Sequence, residues 1–391
     1  MATHAGALDT FQRVRQIATW TILFAPIVTA LLTRAVLYSH EQRRVDLWKR
    51  YRAWTDFILC LTVSCWWVLW VLRSSEIVST LAPSGLLAEP VLFWLAPIVI
   101  LGAYLIICHA VDRTLFKLRW TARQLLWRAW WRVVSLVIPL LMLASGFNAI
   151  FDGHLVGLLW ILAAGFVAKI GTALLRLADG LKLNVLKSGE TRNRAFTLAN
   201  RMGVQLDRVF LVPAGKGHLT NAYGISNAIG LTDNLGKYLS KAEMDFVIAH
   251  ELAHVKLRHG RNYVLLLVAI FASMAILFYK SSSWIPSVQP LLQFLVVLFP
   301  LIALKYVSRQ HEYAADREAM DFTSDPEAAL RALINLNQIH AAPVHCDALT
   351  ESVMTHPSVA HRLSRMSDIG HIRSERLVDI LSASCRSQSR M

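Results

Sequence analysis

Residues 239–260 read LSKAEMDFVIAHELAHVKLRHG, and the interpretation of the whole chain starts from this stretch. Ser240 followed three residues later by Glu243 has the pattern of a capping box, which predicts the first turn of an α-helix. Gly260 is a typical stop signal at the other end. Apolar residues recur between them at helical spacing, so we expect a helix that is buried on one face.

This helix contains His250-Glu251-Leu252-Ala253-His254, an H-E-x-x-H motif. Residues four apart lie on one helix face, so His250 and His254 can each direct a ring nitrogen to the same ion. Zinc suits such a pair, because imidazole is a good zinc ligand and a catalytic site keeps one position for water. Glu251 lies one position around the helix, where it can act as a general base and then as a general acid.

A catalytic zinc site needs a third protein ligand, and the sequence offers His259 and Glu312. His259 follows His254 by five residues, but the long zincin pattern requires Gly three and His six residues after the second His. Those positions hold Leu257 and Gly260, so the long pattern is absent. Glu312 is favoured, because a glutamate on a second helix can face the first.

The composition predicts a membrane protein. AVILMFWYC residues make up 55% of the 391 residues, and the mean hydropathy is +0.44. The net charge of +14 does not indicate nucleic-acid binding, because the basic residues cluster beside apolar segments, as they do at cytoplasmic flanks of membrane helices. Seven apolar segments have about the length of a membrane span: 18–38, 54–72, 86–108, 133–150, 154–175, 263–279 and 284–307.

The distribution of Lys and Arg predicts the orientation of these spans. The segments after the first and third spans are the richest in basic residues, which places the H-E-x-x-H helix and the chain end in the cytoplasm. We therefore expect a multi-pass protein of a bacterial inner membrane, or alternatively of the endoplasmic reticulum. The predicted division is 1–175 with five spans, 176–262 with the motif helix, 263–307 with two spans, and a cytoplasmic part at 308–391.

The cytoplasmic segments predict a small α+β unit. Residues 192–202 have the pattern of an amphipathic helix closed by Gly203, and residues 208–212 and 221–231 alternate like short strands. A helical pattern continues through 308–316, and further helix starts are predicted at 325–327 and 355–357. The predicted fold is mainly α, with a small catalytic domain beside the membrane helices.

Four separated motifs occur in a defined order: Asn221-Ala222-Tyr223, then HELAH, then Glu312-Tyr313-Ala314-Ala315-Asp316, then His356-Pro357 with Arg362. In this order they resemble the membrane zinc metallopeptidases of the CAAX prenyl protease type I and HtpX-like heat-shock protease family, over about residues 221–362. Five spans before the motif helix and two after it are more similar to the prenyl protease branch.

The resemblance implies a seven-span integral membrane protein with a zincin-like domain of the gluzincin type at the cytoplasmic face, and one Zn²⁺ per chain. It implies that Glu312 completes the ligand set with His250 and His254, and that Asp316 orients a ligand histidine. It also implies that His356 and Arg362 stabilise the developing oxyanion. The strand residues Asn221, Ala222 and Tyr223 would hold the substrate backbone.

We therefore expect a zinc endopeptidase that hydrolyses lipidated or membrane-associated proteins near the bilayer surface. Spans six and seven adjoin the two zinc-bearing helices, which indicates substrates at the membrane. A quality-control protease of the heat-shock type is one alternative. The others, from a different class, are a non-catalytic zinc-bound scaffold or chaperone, and a sensor that relays a signal. An intact Glu251 argues against the scaffold, and the short exterior loops argue against the sensor.

Overall fold

The structure is a computed structural model that describes residues 24–36, 48, 51–62, 88–116, 121–132, 134–135, 138–139, 142, 146, 149–150, 153–178, 184–213, 222–225, 227–281, 289–340 and 344–388. The described residues divide into two units. The first lies within Met1–Arg44, Tyr51–Gly180 and Ser273–Leu301. The second lies within Val45–Arg50, Leu181–Ala272 and Ile302–Met391, and it contains the H-E-x-x-H motif.

The first unit is mostly helical in its described part. Its helices comprise residues 24–36 and 51–62, α1 (Ala88–Phe116), α2 (Ala122–Arg132) and α3 (Val156–Ala178). Arg52 connects two of these helices, because its guanidinium lies 3.0 Å from Asp56 and 3.1 Å from Asp112. This ion pair fixes residues 51–62 against α1.

Helices occupy several of the predicted apolar spans. The predictions at 86–108 and 154–175 fall on α1 and α3, and those at 263–279 and 284–307 fall on two helices described below. The predictions at 18–38, 54–72 and 133–150 extend outside the described residues. Within the described ranges, no helix combines the length and the apolar composition that crossing a membrane requires.

The second unit combines a four-stranded sheet with helices. Its strands are β1 (Asn184–Val185), β2 (Arg208–Val212), β3 (Ala222–Ile225) and β4 (Ala228–Thr232). The helices in chain order are α4 (Glu190–Met202), α5 (Leu235–Tyr238), α6 (Lys241–Lys256), α7 (His259–Ser281), α8 (Gln289–Thr323), α9 (Pro326–His340), α10 (Ala348–Val353), α11 (Val359–Ile369) and α12 (Ser374–Gln388). α7 and α8 extend from this unit into the first.

The strands pair in the order β1-β2-β4-β3, with β2 and β4 parallel and the other pairs antiparallel. The strand predicted at 208–212 is confirmed. The alternation at 221–231 forms two strands rather than one, because Ile225 pairs with Ala228 in a tight hairpin. β3 is therefore an edge strand of this sheet.

Local signals explain most of the helix ends. α4 ends at Gly203, whose φ of 68° is the left-handed conformation that glycine adopts without strain. α9 begins at Pro326, as predicted. The start predicted at 355–357 was placed too early, because α11 begins only at Val359 after Ser358. His356 consequently lies in the connection between α10 and α11.

The motif helix α6 begins as predicted. The Ser240 hydroxyl accepts a hydrogen bond from the Glu243 N–H, and the Glu243 carboxylate accepts one from the Ser240 N–H, which completes the capping box. The predicted stop at Gly260 was wrong. The helix ends at Lys256, and Arg258 takes the left-handed conformation with a φ of 54°, so Gly260 already lies in the first turn of α7.

The core of the second unit surrounds α6. This helix packs against α4, α9 and β3. Ile248 and Leu252 are fully buried, as the apolar pattern predicted, but His250 and Ala253 are buried too. α6 is therefore buried on more than the single face that we expected, because it passes through the middle of the unit. The motif thus lies on a helix with nine buried residues.

Candidate metal and catalytic site

Two side chains of α6, His250 and His254, converge with Glu312 of α8. His250 Nε2 and His254 Nε2 lie 3.2 Å apart. Glu312, from α8, places one carboxylate oxygen 3.7 Å from His250 Nε2 and the other 3.6 Å from His254 Nε2. The helical spacing brings the histidines together as predicted, and α8 brings the glutamate to them.

These distances fit a metal ion. Tetrahedral ligands about 2.0–2.1 Å from zinc lie about 3.3 Å from one another, close to the three separations in this cluster. All three ligand atoms lie within 4.8 Å of one another. Two imidazoles and one carboxylate are a donor set that leaves one coordination position for water. The cluster can therefore hold zinc in a catalytic geometry.

The protonation of His254 also suits a ligand. Burial, together with the neighbouring His250, lowers the pKa of His254 to about 3. A neutral imidazole retains one nitrogen lone pair, which is what a metal requires. The folded environment of His254 therefore favours the neutral imidazole.

Asp316 lies next to His250, the other histidine of the cluster. Its Oδ1 lies 3.0 Å from His250 Nδ1, on the side of the ring opposite the metal cluster. Arg362 donates to both oxygens of Asp316, at 2.8 and 2.6 Å. Burial alone would raise the pKa of Asp316, but Arg362 and His250 outweigh it and lower the pKa. Asp316 is therefore a charged carboxylate that lies beside His250 Nδ1.

Arg362 lies in the buried part of the site. Its third nitrogen, Nη1, lies 3.4 Å from Glu312, so the guanidinium contacts both carboxylates of α8 that belong to the cluster. Sequence reasoning placed Arg362 beside the scissile carbonyl. The contacts in this structure are with Asp316 and Glu312.

His356 is the exposed member of the site. Its Nδ1 lies 3.3 Å from Glu312, yet 65% of its side chain is accessible to solvent. Arg309, one turn before Glu312, donates to the carbonyls of Glu351, Ser352 and Met354 at the end of α10. Sequence reasoning missed Arg309, although its spacing from Glu312 on one helix was a usable signal. Arg309 fixes the chain just before His356.

Glu251 faces the edge strand. The Gly224 N–H donates to Glu251 Oε2 at 2.7 Å, and a Cβ at Gly224 would lie 2.9 Å from the Glu251 carbonyl oxygen. Burial raises the pKa of Glu251, although His250 and this hydrogen bond act in the opposite direction. Sequence reasoning missed Gly224, because only the pairing of β3 with β4 brings it here.

The predicted substrate-binding residues lie on or beside β3. Ala222 is buried, whereas Tyr223 is 38% exposed. Asn221 lies outside the described residues. β3 therefore runs past the general-base candidate Glu251 with one of its edges free within the described sheet. That edge has the position that an extended peptide would need.

This arrangement is typical of a metallopeptidase. One helix supplies two histidines and a second helix supplies a glutamate, with a further carboxylate and an edge strand beside them. The comparisons with known proteins agree. Residues 186–369 match the sequence model of Peptidase family M48. Almost half of the chain thus matches this family, and the predicted resemblance to HtpX-like and CAAX prenyl proteases is confirmed.

Relatives from both branches of this family are similar to the chain. A protease HtpX homolog of Ralstonia pickettii is 24% identical over 275 residues, which cover 61% of this chain and 95% of the relative. CAAX prenyl protease 1 of Saccharomyces cerevisiae is 28% identical over 227 residues, which cover 47% of this chain and 49% of the yeast protein. The chain thus matches about half the length of the yeast relative.

The fold is similar to that of a solved member. The crystal structure of S. mikatae Ste24p superposes with a TM-score of 0.57 at 19% sequence identity, over 89% of this chain and 98% of that chain. This likeness confirms a mostly helical, Ste24-like fold.

Proposed function

We propose that this protein is an integral membrane zinc endopeptidase, which hydrolyses peptide bonds of lipidated or membrane-associated proteins near the cytoplasmic membrane surface. The observation that carries the proposal is the convergence of His250, His254 and Glu312 at ligand distances, with Glu251 beside them and an edge strand alongside. The family of the chain supports a peptidase activity at this cluster.

In this proposal the three ligands hold one zinc ion. When bound, zinc lowers the pKa of a water molecule and polarises the peptide carbonyl. Asp316 keeps His250 in the orientation that binds zinc, and Arg362 keeps Asp316 charged. The ligand set is therefore fixed before substrate arrives.

Glu251 moves the proton. Its carboxylate is placed by the Gly224 N–H, which leaves the second oxygen to accept a proton from water. It then gives the proton to the leaving amine, as a general base that becomes a general acid. Burial raises the pKa of Glu251, which makes its carboxylate a stronger base and so favours the first half of this cycle.

Two further groups act on the substrate. The substrate chain adds to β3, where Ala222 is buried and Tyr223 is exposed, as an extended strand. We keep Asn221, which precedes Ala222 in the sequence, as a proposed substrate-binding residue. His356, which is accessible to solvent and lies next to Glu312, donates a hydrogen bond to the developing oxyanion. Arg362 acts indirectly in this proposal. It contacts Glu312, which in turn lies next to His356, and it does not touch the substrate.

The membrane arrangement is part of the proposal. The apolar segments 263–279 and 284–307 stand between the two zinc-bearing motifs in sequence, which supports a site at the bilayer surface. We propose that the protein has seven spans and that its catalytic site faces the cytoplasm. We propose a bacterial inner membrane as its location, with the endoplasmic reticulum as the alternative. Such a site suits lipidated chains.

The experiment compares wild type with Glu251→Gln in detergent, and the exposed Glu375→Gln serves as the matched control. Both a prenylated CAAX-type peptide and an unfolded membrane protein are offered, and the products are identified by mass spectrometry. We expect Glu251-dependent cuts within the prenylated peptide. Cuts scattered through the membrane protein would instead assign quality control, and the absence of Glu251-dependent products from either would favour a non-catalytic scaffold.

A further inference from the structure

We propose that His259 is a positioning residue, which accepts a hydrogen bond from His254 and thereby directs the other nitrogen of His254 to the metal. This inference rests on the metal site of the proposed function. His254 Nδ1 lies 2.8 Å from His259 Nδ1. On the opposite side of the same ring, His254 Nε2 faces His250 Nε2 and Glu312. The two nitrogens of His254 therefore have different partners.

The proton on His254 decides whether the site can bind metal. A neutral imidazole has one N–H and one lone pair. A metal at Nε2 needs the lone pair there, so the proton must be on Nδ1, and the group 2.8 Å away must accept it. If His259 donated instead, His254 would carry its proton on Nε2 and lose the lone pair that faces the cluster. Only one direction of this hydrogen bond is compatible with the ligand set.

The backbone between the two residues explains how His259 reaches this position. α6 ends at Lys256 and α7 begins at His259, with Arg258 in the left-handed conformation between them. Bulky residues adopt this conformation rarely. The sharp turn directs the His259 side chain back towards His254, five residues earlier.

A second helix holds the His259 ring in place. The rings of His259 and His311 stack with their centroids 4.0 Å apart and their planes 7° from parallel. His311 directly precedes Glu312 on α8. The stack therefore connects His259 with the helix that supplies the third ligand, and it restricts rotation of the His259 ring.

The two ligand histidines are thus supported by different chemistry. His250 faces the carboxylate of Asp316, whereas His254 faces a neutral imidazole. Partners of this kind fix the tautomer and the orientation of a metal-ligating histidine. His259 performs for His254 the task that Asp316 performs for His250.

The test separates the hydrogen bond from ring packing with two variants of the full chain. His259→Phe retains a ring that can stack on His311 but removes the acceptor. His259→Asn removes the ring but keeps an oxygen close to the position of Nδ1. The exposed His345→Phe is the matched control. Zn²⁺ affinity is measured in detergent by competition with a chelating dye, together with the unfolding midpoint of each metal-free variant.

We expect His259→Phe to bind Zn²⁺ about 10-fold to 100-fold more weakly than wild type, and His259→Asn to stay within about threefold. The opposite order would overturn the inference, because it would assign His259 a packing role. An equal loss in both would also overturn it, since that is the behaviour of a direct ligand. If the Phe variant does not fold, the Asn variant alone decides, because a tenfold loss there contradicts an acceptor role.

The zinc measurement does not depend on peptidase activity. If the affinities follow the expected order while no peptide is cleaved, the proposed function fails and the role of His259 stands. If peptides are cleaved while His259→Phe binds zinc like wild type, the proposed function stands and this inference fails.

Discussion

The two halves of the site differ in burial. His250, Glu312, Asp316 and Arg362 form a buried network in which every charged group has an opposite partner. His356 and the Tyr223 edge of β3 are exposed. Packing of α6 against its neighbours therefore places the buried half, whereas the half with His356 and Tyr223 is open to solvent. Substitutions in the two halves should consequently differ in whether they reduce stability or activity.

The largest effect is expected from Glu312→Ala in the buried half. Loss of the only carboxylate ligand leaves two imidazoles, so both bound zinc and peptidase activity should disappear. Glu318→Ala is the control, because Glu318 lies on the same helix and pairs with Lys256 outside the cluster. Zinc per chain after gel filtration is the measurement, and a full zinc content in the Glu312 variant would contradict the predicted ligand set.

Arg362→Leu should reduce stability. It leaves the buried carboxylates of Asp316 and Glu312 without their cation, which we expect to cost about 3–5 kcal/mol in the free energy of unfolding. Arg365→Leu on the same helix loses only the contact of its guanidinium with the Tyr313 ring, 3.8 Å away, and should cost about 0.5–1 kcal/mol. Denaturant unfolding measures both values. Similar losses would show that the buried half does not depend on Arg362.

His356→Ala should reduce activity instead of stability. Removal of one donor to the developing oxyanion is expected to lower kcat by about 10²–10³-fold. The unfolding midpoint and the zinc content should not change, because the side chain is mostly exposed. The exposed His345→Ala is the control. A lower unfolding midpoint with unchanged kcat would contradict this role and would show that His356 stabilises the fold, as the residues of the buried half do.

The smallest effect is expected at the start of α6, away from both halves. Ser240→Ala removes the hydroxyl that accepts the Glu243 N–H and should cost about 1 kcal/mol of stability. Ser364→Ala, an exposed serine within α11, should change stability by less than about 0.5 kcal/mol. Equal values for the two variants in denaturant unfolding would mean that the capping box does not stabilise this unit.

Sequence reasoning was most successful where local spacing determines geometry. The pair His250 and His254 follows from helical periodicity alone, and the cap at Ser240 is a local motif. Glu312 could be proposed because a second helix with a suitable residue was recognisable. The strand at 208–212 was located correctly.

Sequence reasoning was least successful where the position of a residue depends on contacts with residues distant in the sequence. Gly224 contacts Glu251 because β3 pairs with β4, and no signal within residues 222–225 announces this. Arg258 adopts a glycine-like conformation, so the stop of α6 was misplaced at Gly260. Arg362 was expected beside the scissile carbonyl, and this stays a prediction. Its pairing with Asp316, which joins residues 46 apart in the chain, had no signal in the sequence. Such contacts arise from tertiary structure, which local patterns do not encode.

The most direct test of the account is X-ray absorption spectroscopy at the zinc edge of the zinc-loaded protein, together with its zinc content. We expect one zinc per chain, bound by two imidazole nitrogens and by oxygen ligands at about 2.0–2.2 Å. A third imidazole in place of the carboxylate, as expected if His259 were a ligand, or no stoichiometric zinc, would contradict the metal centre built from His250, His254 and Glu312.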